Sequence, residues 1–125
     1  MAITINPAEA SRLFVYSGDP AVQIAEDKAE SHGITPEAGA LVPVTDCEKT
    51  QGATKFRLRP LSASQVIEIE RLTEEKNTAA AIATCIEHGL VNIDDNDPPQ
   101  KLAFYIETAV HAAVLALSLG QFSGN

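Results

Sequence analysis

A strand and a helix meet in the stretch KFRLRPLSASQ, residues 55–65. Apolar and basic side chains alternate over its first five residues, which predicts a short strand with one apolar and one basic face. Pro60 ends this strand, because proline lacks a backbone donor and biases the residue before it towards an extended conformation. Ser62 and Gln65 have the spacing of a capping box, so we expect a helix to begin at about residue 63.

This junction divides the chain into two halves of different character. Residues 1–61 are irregular and acidic, residues 62–119 carry helical patterns, and residues 120–125 form a short tail. At 125 residues we expect one domain with a modest core. The expected fold class is α+β, mainly α, with a C-terminal three-helix bundle and short N-terminal strands.

The front half contains few strong patterns. Short strands are expected at three β-prone runs: residues 2–5, 12–16 and 41–44. Asp19 and Pro20 predict a helix that runs to about Ser31 and is ended by Gly33. Residues 34–54 contain two prolines and two glycines. That composition predicts an irregular segment, and such segments are usually functional, mobile or ordered by a partner.

The back half carries three helical patterns, which we place at residues 63–76, 78–88 and 98–119. The first should turn its apolar residues inward: Val66, Ile67, Ile69 and Leu72. The second is rich in small apolar residues, which implies close packing against more than one element. The third should supply the main core stripe, at helical spacing: Leu102, Ile106, Ala109, Val110, Ala113 and Leu117.

Single residues mark where the second helix begins and ends. Asn77 is expected to cap its start, and Gly89 is expected to end it as the residue after the last turn. Residues 89–99 then read as a loop. Its apolar side chains should fold back onto the core while its aspartates stay in solvent.

The charge balance argues against nucleic acid and membrane surfaces as partners. Seventeen acidic residues against nine basic ones give a net charge of −8, whereas phosphate binding needs clustered Lys and Arg. The acidic residues are scattered, which disfavours mimicry of nucleic acid. No apolar run approaches the roughly 18 residues of a membrane helix. Without a secretory leader, Cys47 and Cys85 favour a reducing cytoplasm and two free thiols.

The histidines do not form a metal-binding pattern. His32 and His88 each precede a glycine at an expected helix end, where an imidazolium complements the helix dipole. Glu107 and His111 share a face of the third helix, but no third ligand follows at a suitable spacing. A local contact between these two side chains is the simpler interpretation.

No catalytic motif stands out either. Residues 92–97 resemble the start of a calcium loop, but Asp97 stands where glycine is needed and Ala103 where a bidentate glutamate is needed. Cys47 lies between two acidic residues, whose charges disfavour a thiolate. The sequence therefore predicts a protein that is not an enzyme and uses no metal or cofactor.

The order of these features resembles a known family. Thr54-x-Phe56-x-Leu58-Arg59-Pro60-Leu61 precedes the helical half, and Asp19-Pro20-Ala21 provides a second, shorter match. In these motifs, over roughly residues 12–119, the chain resembles the tail assembly chaperones of long-tailed bacteriophages and prophages.

This resemblance implies a noncatalytic adaptor. Members of the family are similar in being small, often acidic and largely helical, and they bind the tape-measure protein before tail tube subunits polymerise around it. The implied partners are therefore the tape-measure protein and the tail tube protein, in the cytoplasm of the bacterial host. A homo-oligomer is compatible with that role. The candidate partner-binding residues are Phe56, Arg57, Arg59 and Leu61.

Other interpretations of the chain stay open at this point. The junction at residues 56–61 is equally readable as a plain strand-to-helix connection, with its arginines paired to local carboxylates such as Glu68. Two alternative functions also fit the composition. One is a structural tail or neck protein of the virion, and the other is a small prophage-encoded inhibitor of a host protein.

Overall fold

A computed structural model describes residues 11–34, 39–99 and 101–120. They form a mixed helix-and-sheet fold with a four-stranded antiparallel sheet in the order β2-β1-β3-β4. The strands are β1 Arg12–Tyr16, β2 Leu41–Pro43, β3 Phe56–Leu58 and β4 Leu90–Ile93. The helices are α1 Glu26–Ser31, α2 Ala63–Glu74, α3 Thr78–Gly89 and α4 Phe104–Ser118, with a 3-10 turn at Val44–Asp46. The strand expected at residues 2–5 and the tail beyond Gly120 lie outside the described residues.

The sheet carries buried side chains on both faces. On one face, Phe14 and Phe56 lie opposite each other in register and pack with α2, α3 and α4 in a helical core. On the other face, Val15, Val42 and Ala53 form a smaller front core with apolar residues of the front half. β3 is a central strand, with β1 and β4 as its neighbours. The alternation expected at the junction is confirmed, since Phe56 and Leu58 are buried and Arg57 between them is half-buried.

The expected loop at residues 89–99 is wrong in its first part. Leu90–Ile93 forms β4, which pairs antiparallel with β3. The Asp94 carboxylate accepts the Lys55 N–H at 2.8 Å, and the Asp94 N–H donates to the Lys55 carbonyl at 2.8 Å. A run of four residues is too short for its sequence pattern to predict a strand. Its partner strand lies two helices earlier, so only the tertiary structure brings the two together.

The helix expected from Pro20 is also wrong at its start, because α1 begins only at Glu26. The Asp19 carboxylate accepts the N–H groups of Ala21 at 2.9 Å and Thr54 at 3.2 Å. These two backbone hydrogen bonds also hold the pKa of Asp19 below its ordinary value. Asp19 therefore closes a turn and ties it to the segment before β3. At the other end of α1, Gly33 has a φ of 70° and ends the helix as expected.

Residues 34–54 are more ordered than the sequence indicated, over the part that the structure describes. β2 and the 3-10 turn both lie within residues 39–54. The Gln23 N–H donates to the Lys49 carbonyl at 2.8 Å, and Lys49 returns a bond to the Gln23 carbonyl at 3.2 Å. This segment covers one face of the sheet with the front core. Residues 35–38 lie outside the described part.

The capping box that starts α2 is confirmed. Ser62 Oγ accepts the Gln65 N–H at 3.4 Å, and Gln65 Oε1 accepts the Ser62 N–H at 2.9 Å. Three of the four apolar residues of α2 pack inward, and the fourth, Ile67, is 65% exposed. The expectation for Ile67 is wrong because the inward residues recur every third position, and Ile67 lies out of phase with them.

Gly89 belongs to α3 itself, whereas the sequence predicted that it would follow the last turn. It is the last residue of the helix, and the chain enters β4 directly after it. A Cβ on Gly89 would lie 2.5 Å from Val114 Cγ1, so only glycine allows α3 and α4 to approach this closely. α3 also packs against α2 and β4, as its small side chains predicted.

α4 is the main core helix, as its apolar spacing predicted. It begins at Phe104 rather than near residue 98, and Ala103 is its first flanking residue. Every residue of the expected stripe is buried or packs against the helical core, and Val114 joins them. Gly120, with a φ of 77°, follows its C-terminal end.

Candidate partner-binding site

The four residues singled out at the junction fall into two groups. Phe56 and Leu61 are only 5% and 6% exposed, so their side chains belong to the helical core. Arg57 and Arg59 are half-buried. In this fold the apolar pair can support a binding surface from beneath, whereas the two arginines are partly exposed.

Arg59 holds the C-terminal end of α3. Its Nε donates to the His88 carbonyl at 2.7 Å, and its backbone N–H donates to the Gly89 carbonyl at 2.9 Å. The last carbonyls of a helix have no partner within the helix, and a cation is favourable there. The pairing suggested with Glu68 does not occur, because Glu68 binds Arg71 instead.

Arg57 lies on the opposite face of the sheet from Phe56. It is in register with Leu13 on β1 and Asn92 on β4. Its Nη1 is 3.5 Å from Ser11 Oγ, which is at the limit of a hydrogen bond. Arg57 is thus less firmly held within the fold than Arg59.

Leu61 connects the junction to the end of α4. Its N–H donates to Ser118 Oγ at 2.8 Å, and that hydroxyl donates to the Val114 carbonyl at 2.7 Å. The chain therefore fixes the last turn of α4 beside the first turn of α2. Between these two helices it leaves an open cavity.

This cavity, the α2–α4 groove, has a volume of about 380 Å³. Its lining residues are Val66, Ile69, Glu70, Thr73 and Glu74 from α2, and His111, Leu115, Ser118 and Leu119 from α4. Ile69 is buried at its base, and Leu119 is 69% exposed at one end. α2 and α4 each pack against α3 but make few contacts with each other, so the groove remains between them.

One lip of the groove is acidic. Arg71 binds Glu68 and Glu75, and its hydrogen bond lowers the pKa of Glu68. Glu70 and Glu74 line the groove and form no ion pair with any residue in the part of the chain that the structure describes. The groove therefore combines apolar walls with two carboxylates that no local cation neutralises.

His111 adds an unsatisfied polar atom to the groove wall. Its Nε2 is buried and has no hydrogen-bond partner among the described residues. Burial also holds the pKa of His111 below its ordinary value, which favours the neutral imidazole. The contact with Glu107 expected from the sequence is not made by this nitrogen.

His32 and Cys47 are half-buried, and Cys85 is buried. His32 follows the last residue of α1, and its Nε2 lies 2.8 Å from Asp46 Oδ2. Burial raises the pKa of the Cys85 thiol to about 12. The pKa of Cys47 is also raised, chiefly by burial and secondly by Asp46, so the expectation of a poorly reactive thiol is confirmed in direction.

The described residues hold neither a metal-ligand cluster nor a membrane-spanning helix. Over residues 11–34, 39–99 and 101–120, no three His, Cys, Asp or Glu side chains lie together as a ligand set for a metal ion. No helix in those ranges is both long and apolar enough to cross a membrane.

Sequence patterns did not single out the groove. Its walls are assembled from two helices that are far apart in the chain, and neither helix alone indicates a cavity. One irregularity in the α2 pattern, Ile67, is out of phase with the apolar stripe, but this residue does not line the groove.

Comparison of the chain with protein-family models, with curated proteins and with solved structures finds no match.

Proposed function

We propose that this protein is a noncatalytic tail assembly chaperone of a long-tailed phage or prophage, which binds the tape-measure protein and promotes assembly of the tail tube. The observation that carries the proposal is the α2–α4 groove with its apolar walls. A groove between two helices can accept the apolar stripe of a third helix. The motif at residues 54–61 is what points to this family among adaptor proteins.

In this proposal α2, α3 and α4 act as one C-terminal three-helix bundle, and the sheet supports it. The observation that favours this bundle is that α3 packs against both other helices. Arg59 holds the end of α3, and Leu61 holds the end of α4. The candidate residues of the junction then contribute by fixing the walls of the groove, and the direct contacts come from α2 and α4.

The size of the groove suits binding that must later be reversed. One groove of about 380 Å³ receives only a few side chains, and small contacts of this kind are typical of transient complexes. A chaperone has to cover an apolar stripe of the tape-measure protein and then release it to the tail tube protein. Several copies along one tape-measure chain, as monomers or as a homo-oligomer, would protect it in the host cytoplasm without a cofactor.

Capture of the tape-measure protein tests this proposal. The wild-type protein should co-purify with a co-expressed tape-measure protein and be absent from finished tails by mass spectrometry. Leu119→Arg, which places a charge in the groove, should abolish capture. Phe104→Arg is the matched control, because both residues are 69% exposed and Phe104 lies at the other end of α4.

Three results would overturn the proposal. If both variants captured the tape-measure protein equally well, the groove would not be its binding site. The protein's presence in finished tails would favour a structural virion component. A host protein that dominates the captured material would favour an inhibitor.

A further inference from the structure

We infer that the α2–α4 groove selects a basic amphipathic helix, whose Lys or Arg side chains pair with Glu70 and Glu74 while its apolar side chains enter the groove. The chemistry of the occupant follows from the groove. The inference rests on the proposed function only where it assigns that helix to the tape-measure protein.

The charge of the occupant follows from the two carboxylates of the lip. Glu70 and Glu74 are one turn apart on the same face of α2, a spacing at which like charges repel. The nearest cation on α2, Arg71, is already bound by Glu68 and Glu75. A basic side chain above the lip would relieve this repulsion. The charge of the lip would also speed association with basic segments and disfavour acidic ones.

The size of the occupant follows from exposed apolar residues in and beside the groove. Leu119 lines the groove and is 69% exposed, and Ile67, one turn before Glu70 on α2, is 65% exposed outside the lining. Apolar surface therefore continues beyond the cavity itself. An amphipathic helix can cover such a surface while its apolar side chains enter the groove.

Two designed peptides test the inference. Both are fluorescently labelled model helices of equal length with the same leucine stripe, and their flanking positions are all Lys in one and all Glu in the other. In fluorescence anisotropy titrations at low salt, the Lys peptide should bind at least about tenfold more tightly, which corresponds to about 1.4 kcal/mol. Added salt should weaken the binding of the Lys peptide.

Charge reversal on the protein locates the site. Glu70→Lys with Glu74→Lys should invert the preference between the two peptides. Glu26→Lys with Glu30→Lys is the matched control, since these exposed glutamates have the same spacing on α1 and lie outside the groove. All four positions are exposed, and circular dichroism melts verify that both double variants fold.

The outcomes separate this inference from the proposed function. Equal binding of the two peptides, or an unchanged preference in the Glu70/Glu74 variant, would overturn the inference. If that variant still captured the tape-measure protein, the function would stand and the charge selection would fall. If the Lys peptide bound the groove but no tape-measure protein were captured, the selection of a basic helix would be supported. The assignment of that helix to the tape-measure protein would then be wrong.

Discussion

Arg59 and His88 are joined by a 2.7 Å hydrogen bond from the Arg59 guanidinium to the His88 carbonyl oxygen, at the last turn of α3. The Arg59 N–H donates to the next carbonyl, that of Gly89. Two carbonyls left open by the helix are thus satisfied by a single residue, the one that follows β3. This arrangement distinguishes the two arginines of the junction, since Arg57 makes no comparable bond to a helix end among the described residues.

Arg59→Ala should therefore destabilise the protein more than Arg57→Ala. We expect Arg59→Ala to lower the free energy of unfolding by about 1–2 kcal/mol, because a charge-assisted hydrogen bond is lost. Arg57→Ala should change it by less than about 0.5 kcal/mol. Urea denaturation of both variants measures the difference. Equal effects would show that the bond between Arg59 and His88 contributes nothing.

Gly89→Ala should destabilise the protein, although alanine has a higher helix propensity than glycine. The new Cβ would lie 2.5 Å from Val114 Cγ1 and 2.7 Å from Val114 Cγ2. Overpacking of this kind costs about 1–3 kcal/mol. A double-mutant cycle with Val114→Ala measures the coupling by urea denaturation.

A steric origin predicts the sign of the coupling energy in this double-mutant cycle. Val114→Ala alone is destabilising because Val114 is fully buried. The Gly89→Ala change should then cost less in the Val114→Ala background than in the wild type. Additive effects of the two substitutions would contradict a steric origin.

Truncation of the α4 stripe should destabilise the protein. Val110 is fully buried and Ile106 packs against the helical core, so Val110→Ala and Ile106→Ala should each cost about 1–4 kcal/mol. Ala112→Ser is the control on the exposed side of the same helix and should stay within about 0.5 kcal/mol of the wild type. Unchanged melting temperatures for both truncations would mean that α4 is not a core helix.

His111→Gln should reduce the loss of stability at mildly acidic pH. Because burial lowers the pKa of His111 in the folded state from its ordinary value of 6.5, the unfolded chain binds the proton first as the pH falls. His111 therefore has no effect well above the ordinary value. It destabilises the fold progressively as the pH drops from that value to the lowered one, below which its contribution is constant.

Urea denaturation at about pH 7.5 and about pH 5.5, on either side of the ordinary histidine pKa, tests this expectation. The wild type should lose more free energy of unfolding between the two values than His111→Gln does. Glu70 and Glu74 across the groove and Glu107 on α4 are present in both proteins, so the difference isolates His111. Identical losses would show that His111 titrates in the fold as it does in the unfolded chain.

The sequence by itself determined the elements that depend on local interactions. The start of α2 follows from a hydrogen-bond exchange between residues three apart, Ser62 and Gln65. Asn77 caps α3 in the same local way, with its side chain accepting the Ala80 N–H at 3.3 Å. The α4 stripe was readable because one helix period places its apolar residues on a single face.

Tertiary structure alone decided the features that join distant parts of the chain. The pairing of β4 with β3, the approach of Gly89 to Val114 and the bond from Arg59 to α3 all link separate elements. The α2–α4 groove is of the same kind, because its shape depends on how far two helices stand apart on a third. Local patterns report the conformation and the buried face of one segment, whereas these contacts depend on the relative placement of several segments, which no single stretch of sequence encodes.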